Sequence, residues 1–169
     1  MTRYVAFLRG VSPLNAKMPE LARAFELASF TDVKTVLGSG NVLFSARAAS
    51  EGSLIKKAEA SMQKQLGRAF ITQVRAVDDL RELLERDPFA KLRLAPGAKR
   101  IVTFLAEPPR AKLSLPIELE GVQVLARRGR EVLSAHGPEH GPALMALLEK
   151  TFGRAITTRT WQTIERVSR

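Results

Sequence analysis

The order of strand-like and helix-like segments constrains the fold of this chain more than any other feature. The first 77 residues predict strand, helix, strand, strand, helix and strand in turn, at residues 3–8, 18–29, 33–37, 42–44, 54–66 and 70–77. The first strand is a continuous apolar run, whereas the helices show apolar residues at helical spacing. This βαββαβ order is that of a ferredoxin-like unit.

The turn and cap residues agree with these assignments. Residues 38–41 (GSGN) are typical of a hairpin turn, so the second and third strands are predicted to pair. Ser50 and Ser53 are candidate amino-terminal caps of the second helix, and Gly67 is placed to end it.

The second half of the chain repeats the pattern in a degenerate form. After a short helix that Asp87-Pro88 ends and a linker containing Pro96-Gly97, we expect a strand, a hairpin, a helix, a strand and a closing helix, at residues 101–105, 122–134, 142–152, 155–158 and 160–167. Prolines 108, 109 and 116 degrade the first helix of this copy to a turn or loop. The predicted organisation is therefore residues 1–77 as the first unit, 78–98 as a connecting helix and linker, and 99–169 as the second unit with a carboxy-terminal helix.

Three short stretches of the first half resemble stretches of the second half in the same order. Residues 3–8 resemble 100–105, residues 40–46 resemble 129–135, and residues 66–72 resemble 152–158. A duplication explains these matches. Chance similarity between apolar strands is the alternative.

The amino-acid composition restricts the cellular compartment and the kinds of site that the chain can form. The chain of 169 residues has 27 Lys and Arg against 17 Asp and Glu, which gives a formal charge of +10, and it has no cysteine. With no cysteine there is no disulfide and no thiolate site, and the short apolar start does not resemble an export signal, so a cytoplasmic protein without a membrane anchor is expected. The positive charge attracts polyanions, although a biased genome composition would also produce it.

Four motifs resemble the family known as domain of unknown function 1697. They are residues 4–10 (YVAFLRG), the predicted hairpin at 30–44, the string 104–109 (FLAEPP) and the closing residues 157–163 (TTRTWQT). The resemblance spans nearly the whole chain. It implies an α+β fold and no known activity. Members of this family often have a glycine-rich loop after the Arg-Gly pair, where this chain has residues 11–17 (VSPLNAK).

The topology of a βαββαβ unit predicts one ligand site. The first strand lies antiparallel to the third, so Arg9 and Gly10 should lie near Ser39, Gly40 and Asn41. A guanidinium, a hydroxyl, an amide and flexible backbone N–H groups could hold a phosphate or carboxylate. In the alternative, Arg9 binds loop carbonyls and Asn41 completes a tight turn.

Arg159 and Trp161 would join this site if the two units packed suitably, although a tryptophan is more often part of a core. The cationic tip Arg127, Arg128 and Arg130 is a second candidate site, for nucleic-acid backbone, with a solvated turn as the alternative.

No enzyme motif is present. The spacing of His136 and His140 around Gly137-Pro138 does not suit a helical metal site, so no metal and no cofactor are expected. The favoured hypothesis is a non-enzymatic binding protein for an anionic small molecule or nucleic acid. The alternatives are an enzyme acting on a phosphate- or carboxylate-bearing substrate, and a protein–protein interaction or oligomerisation module, with a homo-oligomer as one form of the latter.

Overall fold

The computed structural model describes residues 1–169, which form five α-helices and two antiparallel sheets, one of four strands and one of five. The mixed α+β class predicted from the sequence is confirmed. Two compact units are present: Met1–Glu82 with Glu165–Arg169 form the first, and Leu83–Ile164 form the second. None of the helices combines the length and the apolar character needed to cross a bilayer.

The first unit is a four-stranded sheet with two helices packed on one face. Its elements are β1 (Thr2–Leu8), α1 (Met18–Leu27), β2 (Thr31–Val36), β3 (Asn41–Ala46), α2 (Glu51–Leu66) and β4 (Thr72–Ala76), and α3 (Val77–Arg86) follows. The strands lie in the order β2-β3-β1-β4, and each neighbouring pair is antiparallel. The predicted adjacency of the first and third strands is therefore confirmed.

Local signals explain where α2 begins and ends. The Ser50 Oγ accepts a hydrogen bond from the Ser53 N–H at 3.2 Å, which satisfies one of the free donors of the first turn. At the other end Gly67 has φ 75° and donates its N–H to the Gln63 carbonyl. A glycine adopts this left-handed conformation without the steric cost of a Cβ atom, so the helix stops there.

Aromatic rings form the centre of the first core, between the sheet and α1 and α2. Phe44 is fully buried, and its ring centroid lies 4.3 Å from that of Phe30, 5.6 Å from that of Tyr4 and 5.7 Å from that of Phe25. Leu21, Ala58 and Met62 complete the apolar layer from the helices. The helical spacing of these residues in the sequence is what directs them to one face.

The second unit is a five-stranded sheet. A 3₁₀ turn (Pro88–Lys91) is followed by β5 (Lys99–Phe104), β6 (Ile117–Leu119), β7 (Val122–Arg128), β8 (Glu131–His136), α4 (Gly141–Phe152) and β9 (Thr157–Thr160). The strands lie in the order β6-β7-β8-β5-β9, again antiparallel. The chain closes with α5 (Trp161–Val167).

No helix occurs between β5 and β7, as the prolines of this segment predict. The sequence predicts a turn or loop here, but the structure adds β6, a three-residue edge strand in which Ile117 pairs with Val124. The pattern gave little signal, because such a short strand directly after Pro116 has almost no alternation to detect.

The sequence matches between the two halves do not coincide with the strand registers. Arg3 lies opposite Ser45, whereas the corresponding Arg100 lies opposite Ala135 and not Ser134. The hairpin match is therefore displaced by one residue, and a one-residue shift moves a side chain to the other face of a sheet. That match does not identify structurally equivalent positions.

Several strand boundaries differ from the predicted ones, and two of these differences have a common cause. The fourth strand begins at Thr72 rather than at residue 70, and the last strand spans Thr157–Thr160 rather than residues 155–158. In both places a buried apolar residue, Phe70 or Ile156, lies just before the strand. Its side chain belongs to a core cluster, but its backbone is not paired with a neighbouring strand. An apolar pattern reports burial and not pairing, so it extends each strand too early.

Candidate functional site

The end of β1 lies beside the start of β3, which brings together the two segments that carry five of the candidate ligand residues. Phe7 pairs with Asn41, and the Leu8 N–H donates to the Gly40 carbonyl at 2.8 Å. On the other side of β1, the Arg9 N–H donates to the Ile71 carbonyl at 2.9 Å. Three chain segments therefore meet at this end: residues 9–17, 37–40 and 67–71. We refer to them together as the loop end of the first sheet.

The first of these segments is ordered by its own polar groups. Asn15 donates its Nδ2 to the Gly10 carbonyl at 2.7 Å, and its Oδ1 accepts the Ser12 N–H at 2.9 Å. Gly10 is exposed and has φ 80°. The loop after Arg9 therefore holds a defined turn while the backbone at Gly10 stays accessible to solvent.

The hairpin turn packs directly against that loop. Gly40 has φ 89°, and a Cβ atom built on it would lie 3.0 Å from the Val11 Cβ. Asn41 is completely buried, and its Nδ2 donates to the Val36 carbonyl at 2.9 Å and to the Ser39 Oγ at 3.2 Å. These contacts support the structural alternative for Asn41, whereas Ser39 remains at the exposed surface of the turn.

Cations accumulate at the loop end. Arg9, Lys17 and Arg68 belong to its three segments, which contain no aspartate or glutamate. The Arg68 guanidinium lies 4.5 Å from the centroid of the Phe70 ring. Lys17 and Arg68 are not among the site residues predicted from the sequence. The strand order of a βαββαβ unit is a signal for Arg68, because it places the start of the fourth strand beside the end of the first.

The other two predicted ligand residues belong to the second unit. Arg159 lies in β9 opposite Val102, and it donates from Nη1 to the Thr158 carbonyl at 2.7 Å. Burial lowers the pKa of Arg159 to about 10, so its guanidinium stays charged at neutral pH.

Trp161 is part of a packed cluster of the second unit. It is 4% exposed, its ring meets that of Phe89 edge-on at 5.2 Å, and the Arg100 guanidinium lies 5.5 Å from its centroid. This environment supports the core alternative over a stacking platform, because the ring is already covered by protein.

The cationic hairpin tip is a two-residue turn between β7 and β8. Arg127 and Arg128 are exposed, and Arg127 donates from Nη1 to the Gly129 carbonyl at 2.8 Å. Arg130 is half-buried, and its carbonyl accepts the Leu105 N–H at 2.9 Å. Of the three predicted contacts to nucleic acid, only the first two lie fully at the surface.

The two histidines flank the connection between β8 and α4: His136 ends β8, and His140 directly precedes α4. Nδ1 of His136 lies 2.6 Å from the Gly137 carbonyl oxygen, and the His140 ring packs against Gly121 so closely that a Cβ atom there would overlap it. No group of three or more His, Asp or Glu side chains is placed to hold a metal ion.

Comparison with known proteins gives a family and a fold. The model of the family described as "Protein of unknown function (DUF1697)" matches residues 1–132. The structure of conserved bacterial protein SP0830 from Streptococcus pneumoniae is similar, with a TM-score of 0.73 and 20% identity, over 99% of this chain and 97% of that one. No curated protein matches. At this identity the likeness extends to the fold alone.

Proposed function

The chain belongs to the DUF1697 family, whose description names no function, and we propose from its own geometry that it is a binding protein for a small anion. The proposed site is the loop end of the first sheet. One observation carries the proposal: three segments that meet there contribute Arg9, Lys17 and Arg68 and no carboxylate. A cluster of three cations attracts anions.

The remaining chemistry of the loop end suits a phosphate or carboxylate. Ser12 and Ser39 supply hydroxyls, and the exposed Gly10 leaves the backbone open to close approach. Helix α1 begins at Met18, so the positive end of its dipole lies in the same region. An Arg fork and several N–H and O–H donors form the kind of set that holds oxyanions.

The test is a titration with inorganic phosphate and pyrophosphate followed by amide NMR shifts. We expect saturable shifts at Gly10, Ser12 and Ser39. Arg9→Gln removes a charge-assisted contact of about 1.5–3 kcal/mol, so binding should weaken by about ten- to a hundredfold. Arg9→Lys keeps the charge but loses the fork, and we expect intermediate binding.

Arg23→Gln is the matched control. Arg23 is an exposed residue of α1 whose guanidinium pairs with Glu26 at 3.3 Å, so this variant lowers the net charge of the same unit by the same amount. Equal weakening in Arg23→Gln and Arg9→Gln would mean that general charge attraction, and not a site, produces the shifts. Unfolding curves of the variants separate lost binding from lost structure.

We also propose that both units derive from one ferredoxin-like βαββαβ unit, with the division at residues 1–77, 78–98 and 99–169. The support is the strand order: β2-β3-β1-β4 in the first sheet has its counterpart in β7-β8-β5-β9 of the second. Superposition of the two sets of four strands with α2 on α4 tests it, because a shared origin requires all five elements to coincide.

The exposed Arg127 and Arg128 motivate a second candidate, contact with nucleic-acid backbone. Their double substitution by glutamine should weaken binding to random RNA and reduce its salt dependence by about two counterions. Unchanged binding and salt dependence would contradict this candidate.

A further inference from the structure

A pocket of about 280 Å³ opens in the first unit at the end of the sheet opposite the loop end. Thr2, at the start of β1, pairs with Ala46 at the end of β3, and the pocket lies beside this pair. Its walls come from the α1–β2 connection, from the segment that leaves β3, and from the first two turns of α2. Nothing in the loop-end site uses these residues.

The floor of the pocket is apolar and rigid. Phe30, Ala46 and Leu54 line it, and all three are buried residues of the first core. The Phe30 ring is stacked on that of Phe44 at 4.3 Å, so this wall is fixed by the aromatic cluster beneath it. A fixed apolar concavity favours an apolar body, because binding there removes apolar surface from water without ordering a flexible wall.

The rim of the pocket is cationic. Arg47 and Lys57 line it, and both are exposed. Neither side chain forms an ion pair or a hydrogen bond within the protein, whereas other surface cations of this unit, such as Arg23 and Arg81, are paired with carboxylates. No aspartate or glutamate lines the pocket. A ligand anion at the rim would therefore meet two positive charges that no internal acid has neutralised.

We propose that this pocket binds a small amphipathic anion, with the apolar body on Phe30 and Leu54 and the carboxylate or phosphate between Arg47 and Lys57. The volume of about 280 Å³ lies just below the range of about 300–1,000 Å³ that is usual for small-molecule sites. The occupant is therefore a compact aromatic or medium-chain acid and not a large cofactor. This site is independent of the proposed loop-end site, because the two lie at opposite ends of β1.

Three probes distinguish binding of the apolar body from binding of the anionic group. Octanoate carries both an apolar body and an anion, 1-octanol carries only the apolar body, and acetate carries only the anion. We expect octanoate to produce saturable amide shifts at Ala49 and Ser53, with octanol at least tenfold weaker and acetate without effect. Equal affinity for octanol and octanoate would overturn the role of the cations.

Charge variants test the rim directly. The double variant Arg47→Gln/Lys57→Gln should weaken octanoate at least tenfold and leave octanol unchanged. Lys56→Gln/Lys64→Gln is the matched control, because it removes two exposed charges of α2, the helix of Lys57, that do not line the pocket. The proposal fails if both pairs weaken octanoate equally, or if octanoate shifts no pocket amide in the wild type. Loop-end amides, titrated with phosphate, report separately on the other site.

Discussion

Three glycines at the loop end form a graded test of how closely the first loop packs on the hairpin turn. Gly38 does not have a positive φ, and a Cβ atom there would touch only the Pro13 Cγ, at 3.9 Å. Gly10 has φ 80° and open space around it. Gly40 has φ 89° and almost no space. Alanine at Gly38 therefore adds neither backbone strain nor a steric clash. Alanine at Gly10 adds backbone strain alone, and alanine at Gly40 adds both.

The expected losses of unfolding free energy follow from these environments. Gly38→Ala should change stability by at most about 0.5 kcal/mol. In Gly10→Ala the left-handed backbone costs about 1–2 kcal/mol. The alanine also reduces the conformational freedom of the unfolded chain, which returns about 0.4–1 kcal/mol, so the net loss is about 1 kcal/mol. In Gly40→Ala the new Cβ lies 3.0 Å from the Val11 Cβ and 3.1 Å from the Leu8 Cβ. Overpacking adds about 1–3 kcal/mol, for a total of about 2–4 kcal/mol.

Urea unfolding followed by far-ultraviolet circular dichroism measures these differences. With a denaturant dependence of about 2 kcal/mol per molar, the midpoint should fall by about 1–2 M in Gly40→Ala and by about 0.5 M in Gly10→Ala. Gly38→Ala is the control. The reasoning is refuted if Gly40→Ala is no less stable than Gly10→Ala, because the loop would then not approach the turn as the structure places it.

Three further outcomes are expected. Gly121→Ala should destabilise the second unit by about 2–4 kcal/mol, because φ there is 72° and the methyl group would overlap the His140 ring, so its urea midpoint should fall. Ser50→Ala should cost about 1 kcal/mol through loss of the α2 cap, and Ser50→Asp should restore it in the same assay. Burial raises the pKa of Glu59 above its value in the unfolded chain, so ionisation of this carboxyl destabilises the folded protein once the pH rises above the unfolded-state pKa. Glu59→Gln should therefore stabilise the protein at pH 7, and the gain should vanish below about pH 4, where the carboxyl is protonated in both states; a gain that persists at low pH would contradict this cause.

The sequence predicts those parts of the fold that depend on local chemistry and on chain order. Ser50 and Gly67 mark the ends of α2 because caps act on the nearest turn. The adjacency of β1 and β3 follows from the βαββαβ order, and with it the hydrogen bond that joins Leu8, next to Arg9, to Gly40, next to Ser39. The antiparallel hairpins follow from their turn residues.

What the sequence could not supply depends on long-range geometry. The turn sequence around Asn41 is compatible both with a ligand-binding amide and with an amide that is buried and bonded inside the turn. Only the structure shows that the Asn41 side chain is buried and donates to the Val36 carbonyl. Lys17 ends the irregular loop that follows Arg9, and no local pattern predicts the path of that loop. Arg68 is far from Arg9 in sequence, and only the strand order of the unit places it at the same sheet end. The sequence does not indicate the pocket beside Phe30, because its apolar floor and its two cations come from separate segments of the chain.

The packing of Trp161 against Phe89 has a practical consequence for spectroscopy. Trp161 is the single tryptophan and lies in the second unit, whereas Tyr4, the single tyrosine, lies in the first. Loss of the edge-on ring contact would expose the indole to water, so its fluorescence emission follows that unit by itself. A midpoint from this emission that differs from the midpoint of backbone ellipticity would reveal that the two units unfold in separate steps.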